Sequence, residues 1–179
     1  SEEVETLLSV YVEGVRDADA MLGRLRRFFD GQERPVVLVF WGDHLPYLGD
    51  KMLAYSELGL DVAAADPQDP FAPYKTPFVI WANDAAADVL DWDRAVESLD
   101  LPESVSACFL GAAVLELTGR GEATPWFGFL NQLRRELPVV QRTLCQLPDG
   151  SVTDASSRQD LLQKWRKWSY YKLQYKEVP

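Results

Sequence analysis

The chain has 179 residues, 47% of them hydrophobic, which is enough to bury a core and short enough that one domain is the starting expectation. Its formal net charge of -10 argues against a sequence-independent grip on nucleic acid or anionic lipid, which takes clustered Lys and Arg, so no nucleic-acid partner is expected. Cys108 and Cys145 are too few for a disulfide framework or a cysteine-built zinc site, and the longest apolar runs fall short of the roughly 20 residues of a membrane span, so the chain as it stands is expected to be soluble.

From Val4, the apolar positions Leu7, Leu8, Tyr11, Val15, Ala18, Leu22, Leu25 and Phe29 step by three or four residues, predicting an amphipathic helix that "DGQERP" stops. "VVLVF" follows, a short β-branched run that reads as a strand buried on both faces, as in a parallel sheet. Residues 50 to 74 are irregular, apart from a short helix around Met52 to Leu58. The proline-rich "DPQDPFAPYKTP" reads as a loop of active-site size. "FVIWA", Phe78 to Ala82, reads as a second core strand parallel to the first. The acidic "NDAAADVLDWD" lacks the register of a calcium loop and reads as solvated helix and turn.

A helix is predicted from Ser104 to Leu117, ending at Gly119, and another from a Thr124 cap and Pro125 to Leu137. "VVQRTLCQL" has strand composition, "PDG" is a turn, and "SVTDA" returns as its hairpin partner. A last helix runs from a Ser157 cap to about Tyr171, with the basic "KWRKW" packed by its tryptophans and snorkelling by its cations. The fold class is α/β: a partial, mainly parallel sheet flanked by helices, with a small C-terminal antiparallel element and a terminal helix. The expected division is 1–137 for the α/β domain and 138–179 for a strand and helix subdomain.

"PVVLVFWGDHLPYLG" carries the only histidine. Asp43 and His44 follow the first strand, where ligands bind in open α/β sheets, and an adjacent carboxylate and imidazole suit one divalent cation, with Gly42 permitting the sharp turn that aims them. Two ligands do not complete a site, and any others would be carboxylates or hydroxyls. Spacing leaves open the alternative of a loop histidine bonded to backbone beside a turn-forming aspartate. No phosphate-cradling glycine loop and no GxSxG elbow is present.

"VLVFWGDHLPYLG" resembles the Gly-Asp-His-x-Pro segment of sulfatase-like enzymes of the alkaline phosphatase superfamily, specifically the lipoteichoic acid synthase-like branch. "YVEGVRDADAMLGRLRRFF" is similar to that branch's preceding helix, "TPFVIWAN" to its next strand, and "SVSACFLGAAVLELTG" and "TPWFGFLNQLRRELPVV" to its later helices. The resemblance implies a metal-dependent phosphoglycerol transferase or sulfatase-like hydrolase, with Asp43 and His44 as two metal ligands. The divalent cation would be manganese first, with magnesium or zinc as the other candidates.

The family's nucleophile and remaining ligands precede the helix with which this chain begins. The chain, which starts at Ser1 without a methionine, is therefore expected to be a fragment that is inactive alone and binds metal weakly or not at all. Its expected partners are the missing N-terminal half of the domain and, in the parent, a lipid-linked or other phosphate or sulfate ester. The parent would be anchored in the cell membrane with its catalytic domain outside. Self-association through a strand edge and apolar helix face left uncovered is also expected. Two other readings are a non-catalytic binding or structural α/β module, and a stand-alone hydrolase with Ser56 or Thr76 near the Asp-His pair.

Overall fold

The computed structural model describes residues 1–60, 62 and 69–174, with side chains to Tyr171. Part of the proline-rich loop and the end of the 138–179 segment lie outside the described residues. The chain divides into two compact units, Ser1–Val89 and Leu90–Pro179.

The first unit opens with α1, Glu2–Asp30, whose N-terminus is capped by the Ser1 hydroxyl accepting from Val4 N–H, with Glu2, Glu3 and Glu5 beside the positive end of the dipole. Its first turns bury Val4 against Leu48, Ala54 and Tyr55, the last two on α2, Leu53–Glu57. Full burial of such an aliphatic side chain stabilises by roughly 1.5–3 kcal/mol. Farther along, the predicted stripe is covered unevenly: Ala18, Leu22 and Phe29 are half-buried, whereas Tyr11, Val15 and Leu25 are exposed.

Strands β1, Val37–Trp41, and β2, Phe78–Ala82, pair with register Val37↔Ala82 to Trp41↔Phe78. The pairing is antiparallel, which corrects the parallel arrangement read from the sequence. A continuous apolar run reports burial, not direction, and these strands are half-buried rather than enclosed. A parallel pair also needs a crossover that carries the chain back along the sheet, usually a helix. The five-residue α2 is the only α-helix among the described residues of this connection.

Asn83 follows β2 directly and is fully buried. Its Nδ2 donates to the carbonyls of Phe29, Gln32 and Arg34 at 3.0, 3.1 and 3.0 Å. Its Oδ1 accepts from Val36 N–H at 2.9 Å and from Ala86 N–H at 3.0 Å. The latter bond caps α3, Asp84–Leu90, so one side chain ties the end of α1, the start of β1 and the start of a helix.

In the second unit, α4, Trp92–Leu99, precedes α5, Leu110–Leu117, and α6, Pro125–Glu136. The α5 helix starts later than Ser104, behind a 3-10 turn at Ala107–Phe109. Ser106 is held extended by its N–H to Pro138 O and by Val140 N–H to its hydroxyl, both at 2.9 Å. Thr124 caps α6 as read from the sequence, accepting from Phe127 N–H.

Strands β3, Val139–Val140, β4, Leu144–Gln146, and β5, Val152–Asp154, form an antiparallel sheet, and α7, Gln159–Gln174, closes the chain. Ser157 does not cap α7: it lies in a preceding 3-10 turn and donates to Asp154 O at 2.7 Å. The core joins Phe109, Ala112, Leu130, Leu133 and Leu137 to Cys145, Ala155 and Leu162, so residues on both sides of position 137 share it. Cys108 and Cys145 are free thiols. Trp168 packs on Trp126 and Phe129 at centroid distances of 6.3 and 6.0 Å, fixing the aromatic side of "KWRKW". Among the described residues no helix is long and apolar enough to cross a membrane.

Replacing Asn83 by Ala strands three carbonyls and two N–H groups in a buried setting, where each unsatisfied group costs about 1–3 kcal/mol and relaxation recovers part. We expect a loss of about 3 kcal/mol or more for the first unit, read as a drop in its urea midpoint. A shift below about 0.5 kcal/mol, the ordinary range for a surface substitution, would contradict the assigned role.

Candidate functional site

The loop Gly42–Asp50 leaves the end of β1 and is clamped at both ends. At its start, Gly42 N–H donates to Pro77 O at 3.0 Å and the Thr76 hydroxyl donates to Gly42 O at 2.7 Å. At its far end, Leu48 is buried, Ala54 N–H donates to Leu48 O at 3.1 Å and the Tyr55 hydroxyl donates to Pro46 O at 3.0 Å. Burial pushes the Tyr55 phenol above its ordinary value, with the neighbouring Tyr11 adding to the shift. The Tyr47 phenol, exposed, is also raised, chiefly because it donates to the Asp50 carboxylate at 2.9 Å. Both shifts favour the neutral phenols that these hydrogen bonds require.

Gly42 serves a different end from the sharp turn read in the sequence. Its φ is not positive, but a Cβ there would lie 2.9 Å from Thr76 Cβ and 3.3 Å from Thr76 Cγ2. Glycine is needed so that Thr76 can close on the backbone.

Between the clamps lie Asp43, His44 and Leu45. Asp43 Oδ1 accepts from His44 N–H at 2.9 Å, and His44 Nδ1 is 2.7 Å from Leu45 O. A carbonyl only accepts, so Nδ1 carries the proton, and in the neutral ring Nε2 presents its lone pair. Nε2 lies 3.5 Å from Asp43 Oδ2. Two acceptor atoms this close are favourable only with a proton or a cation between them. Metal bonds of about 2.1 Å at a tetrahedral angle hold two ligand atoms about 3.4 Å apart, so the pair has the spacing of two donors to one divalent ion. Both side chains are open, 83% exposed for Asp43 and 74% for His44, so neither is shielded from water.

The structure thus brings together the two residues that sequence reasoning selected. Among the described residues no third His, Cys, Asp or Glu joins them in a cluster fit for a metal. Thr76, read as a nucleophile that spatial approach would supply, does approach the loop, but its hydroxyl is committed to Gly42 O. Sequence reasoning missed the clamping roles of Thr76 and Tyr55 and the part played by Leu45 O. One signal was present: Pro46 restricts Leu45 to extended backbone, which constrains the carbonyl that the ring uses.

The model of the sulfatase family matches residues 1–119, which contain this loop and both strands. The chain is 32% identical over 146 residues to a Rhizobium meliloti (strain 1021) protein named for cyclic beta-1,2-glucan modification. The match covers 80% of this chain and 21% of that protein, so the chain spans about a fifth of the relative's length. No solved structure matches.

Gly42→Ala drives a methyl group into Thr76 and should cost about 1–3 kcal/mol, the usual range for overpacking. Urea unfolding measures it, and the double variant with Thr76→Ser should recover part of the loss by removing the threonine methyl that the added Cβ meets. Full additivity of the two substitutions would show that they do not interact.

Proposed function

We propose, since this chain belongs to the sulfatase family, that Asp43 and His44 are two ligands of a divalent cation in a phospho- or sulfo-group transferase or hydrolase. The nucleophile and the remaining ligands are assigned to the part of the protein that this chain does not contain. The observation that carries the reading is the convergence of His44 Nε2 and Asp43 Oδ2 at 3.5 Å, with the other ring nitrogen occupied by Leu45 O. That division of the ring, one nitrogen bonded to backbone and the other facing a carboxylate, matches the way metal-binding histidines are oriented in proteins.

Manganese is the first candidate, with zinc or magnesium as the others; the imidazole suits zinc and the carboxylate suits manganese or magnesium. When bound, the cation would polarise the oxygens of the ester and lower the pKa of the attacking hydroxyl. The chain's own residues do the positioning: Asp43 brings a carboxylate oxygen, and His44 brings a ring whose Nδ1 is bonded to Leu45 O and whose Nε2 is left to face the ion.

The finer assignment is to the lipoteichoic acid synthase-like branch, with phosphoglycerol as the group transferred. It is supported by the order of the resembling segments around "GDHLP". The name of the Rhizobium meliloti relative supports a glucan as acceptor, because 80% of this chain aligns with that protein. The sulfatase-like portion is taken to run past the matched residues to 137, because Phe109, Ala112, Leu130, Leu133 and Leu137 pack together. Residues 138–179 then add a small sheet and helix against that core.

The expected protein partner is the remainder of the domain. In its support, Tyr11, Val15, Leu25 and Phe28 of α1 are exposed, and among the described residues neither β1 nor β2 pairs with a third strand. Where that remainder is lacking, the same surfaces favour self-association.

Two exposed ligands without the rest of their shell bind weakly. Titration with Mn2+ should broaden the ring signals of His44, the single histidine, with an affinity weaker than micromolar. Asp43→Ala should weaken the effect about ten-fold or more. Submicromolar binding by this chain alone would overturn the shared site, and broadening indifferent to Asp43→Ala would overturn the pair. The chain alone should not turn over p-nitrophenyl phosphate or sulfate with or without Mn2+, and turnover abolished by His44→Ala would refute the division of the site.

A further inference from the structure

The β1–β2 ladder ends at Trp41↔Phe78, and just beyond it Gly42 N–H donates to Pro77 O at 3.0 Å. The backbone of β2 has no N–H at Pro77 to return the bond, since proline lacks that donor. The Thr76 hydroxyl takes its place, donating to Gly42 O at 2.7 Å. The threonine methyl and Cβ fill the space where Gly42 has no side chain. The peptide leading into Asp43 is therefore held by shape as well as by hydrogen bonding.

Downstream, Tyr55 holds Pro46 O, so only Asp43, His44 and Leu45 separate the two clamps. Within that span Asp43 Oδ1 and His44 N–H, and His44 Nδ1 and Leu45 O, close two short rings that depend on the direction of the Gly42–Asp43 peptide.

We propose that Thr76 is a positioning residue for the Asp43–His44 pair, acting through the Gly42 carbonyl. Its hydroxyl, and not its bulk alone, keeps the proton of His44 on Nδ1 and leaves Nε2 facing Asp43. The consequence for metal affinity rests on reading the pair as ligands, whereas the geometric claim does not.

The chain has one histidine, so selective 15N-histidine labelling reports on one ring. At a pH where the ring is neutral, the two 15N shifts give the tautomer directly. Wild type should hold the proton mainly on Nδ1. Thr76→Val, which exchanges the hydroxyl for a methyl, should move the population toward the Nε2–H form, and Thr76→Ser should restore the wild-type pattern. If Thr76→Val does not fold, Thr76→Ala provides the same loss of hydroxyl without added bulk.

An unchanged tautomer in a folded Thr76→Val or Thr76→Ala chain overturns the proposal, as does failure of Thr76→Ser to restore it. Zn2+ added to the same samples separates the two readings. If the ring responds in wild type, the affinity should fall about ten-fold or more in Thr76→Val, the usual effect of removing a group that orients a ligand, and equal affinities overturn the proposal. If no sample responds to Zn2+, the metal reading fails while the tautomer comparison still decides the role of Thr76.

Discussion

One buried amide organises the first unit. Asn83 has two N–H donors and a carbonyl with two lone pairs, and it meets three carbonyls and two N–H groups. The three carbonyls come from the end of α1 and the turn after it, where helix geometry leaves carbonyls without partners. The two N–H groups come from the start of β1 and the first turn of α3. No other side chain of this size fits: aspartate lacks the donors, and leucine lacks both functions. Leaving these five backbone groups dry would cost more than the burial of one amide.

The position of Asn83 in the ladder converts a local bond into a long-range constraint. Its own N–H donates to Val36 O at 3.1 Å, one step outside Val37↔Ala82, so it sets the register from one end of the strand pair. A slip by one residue would turn every side chain of β2 to the other face and break all five contacts. At the opposite end, the same register brings Pro77 and Thr76 against Gly42. The geometry of the Asp43–His44 loop is thus inherited through five strand pairs from an amide at the other end of the sheet.

The sequence made some of this legible. Helix α1, strand β2 and the Thr124 cap follow from spacing and end signals, which are local physics. The direction of β1 against β2 was not legible, because apolar runs report burial while direction depends on how the connection returns. Asn83 stands at the head of "NDAAADVLDWD", which read as solvated helix and turn; it is instead fully buried, and its importance lies in partners about 50 residues away. The buried Arg134 belongs to the same class. It reaches Glu116 at 2.8 Å and the Leu99 carbonyl, and Arg135 also pairs with Glu116, yet "LRRE" reads as an ordinary helix end. Breaking such a buried pair exposes a charge to a low-dielectric surround, which is costly in a way sequence spacing does not signal.

The two readings of His44 that spacing left open are not alternatives. A loop histidine bonded to backbone is what the structure contains, through Nδ1 and Leu45 O. That bond also leaves Nε2 facing an aspartate whose other oxygen is tied to the His44 amide. A proton on Nε2 or a cation between Nε2 and Oδ2 makes that approach favourable. The two atoms converge in open solvent, held between clamps at Gly42 and Pro46. If the pair acts as the ligands proposed above, it binds little by itself, because water reaches both exposed side chains. On that proposal it gains strength only when further ligands and walls exclude the water, so its geometry would have most value as one side of a larger site.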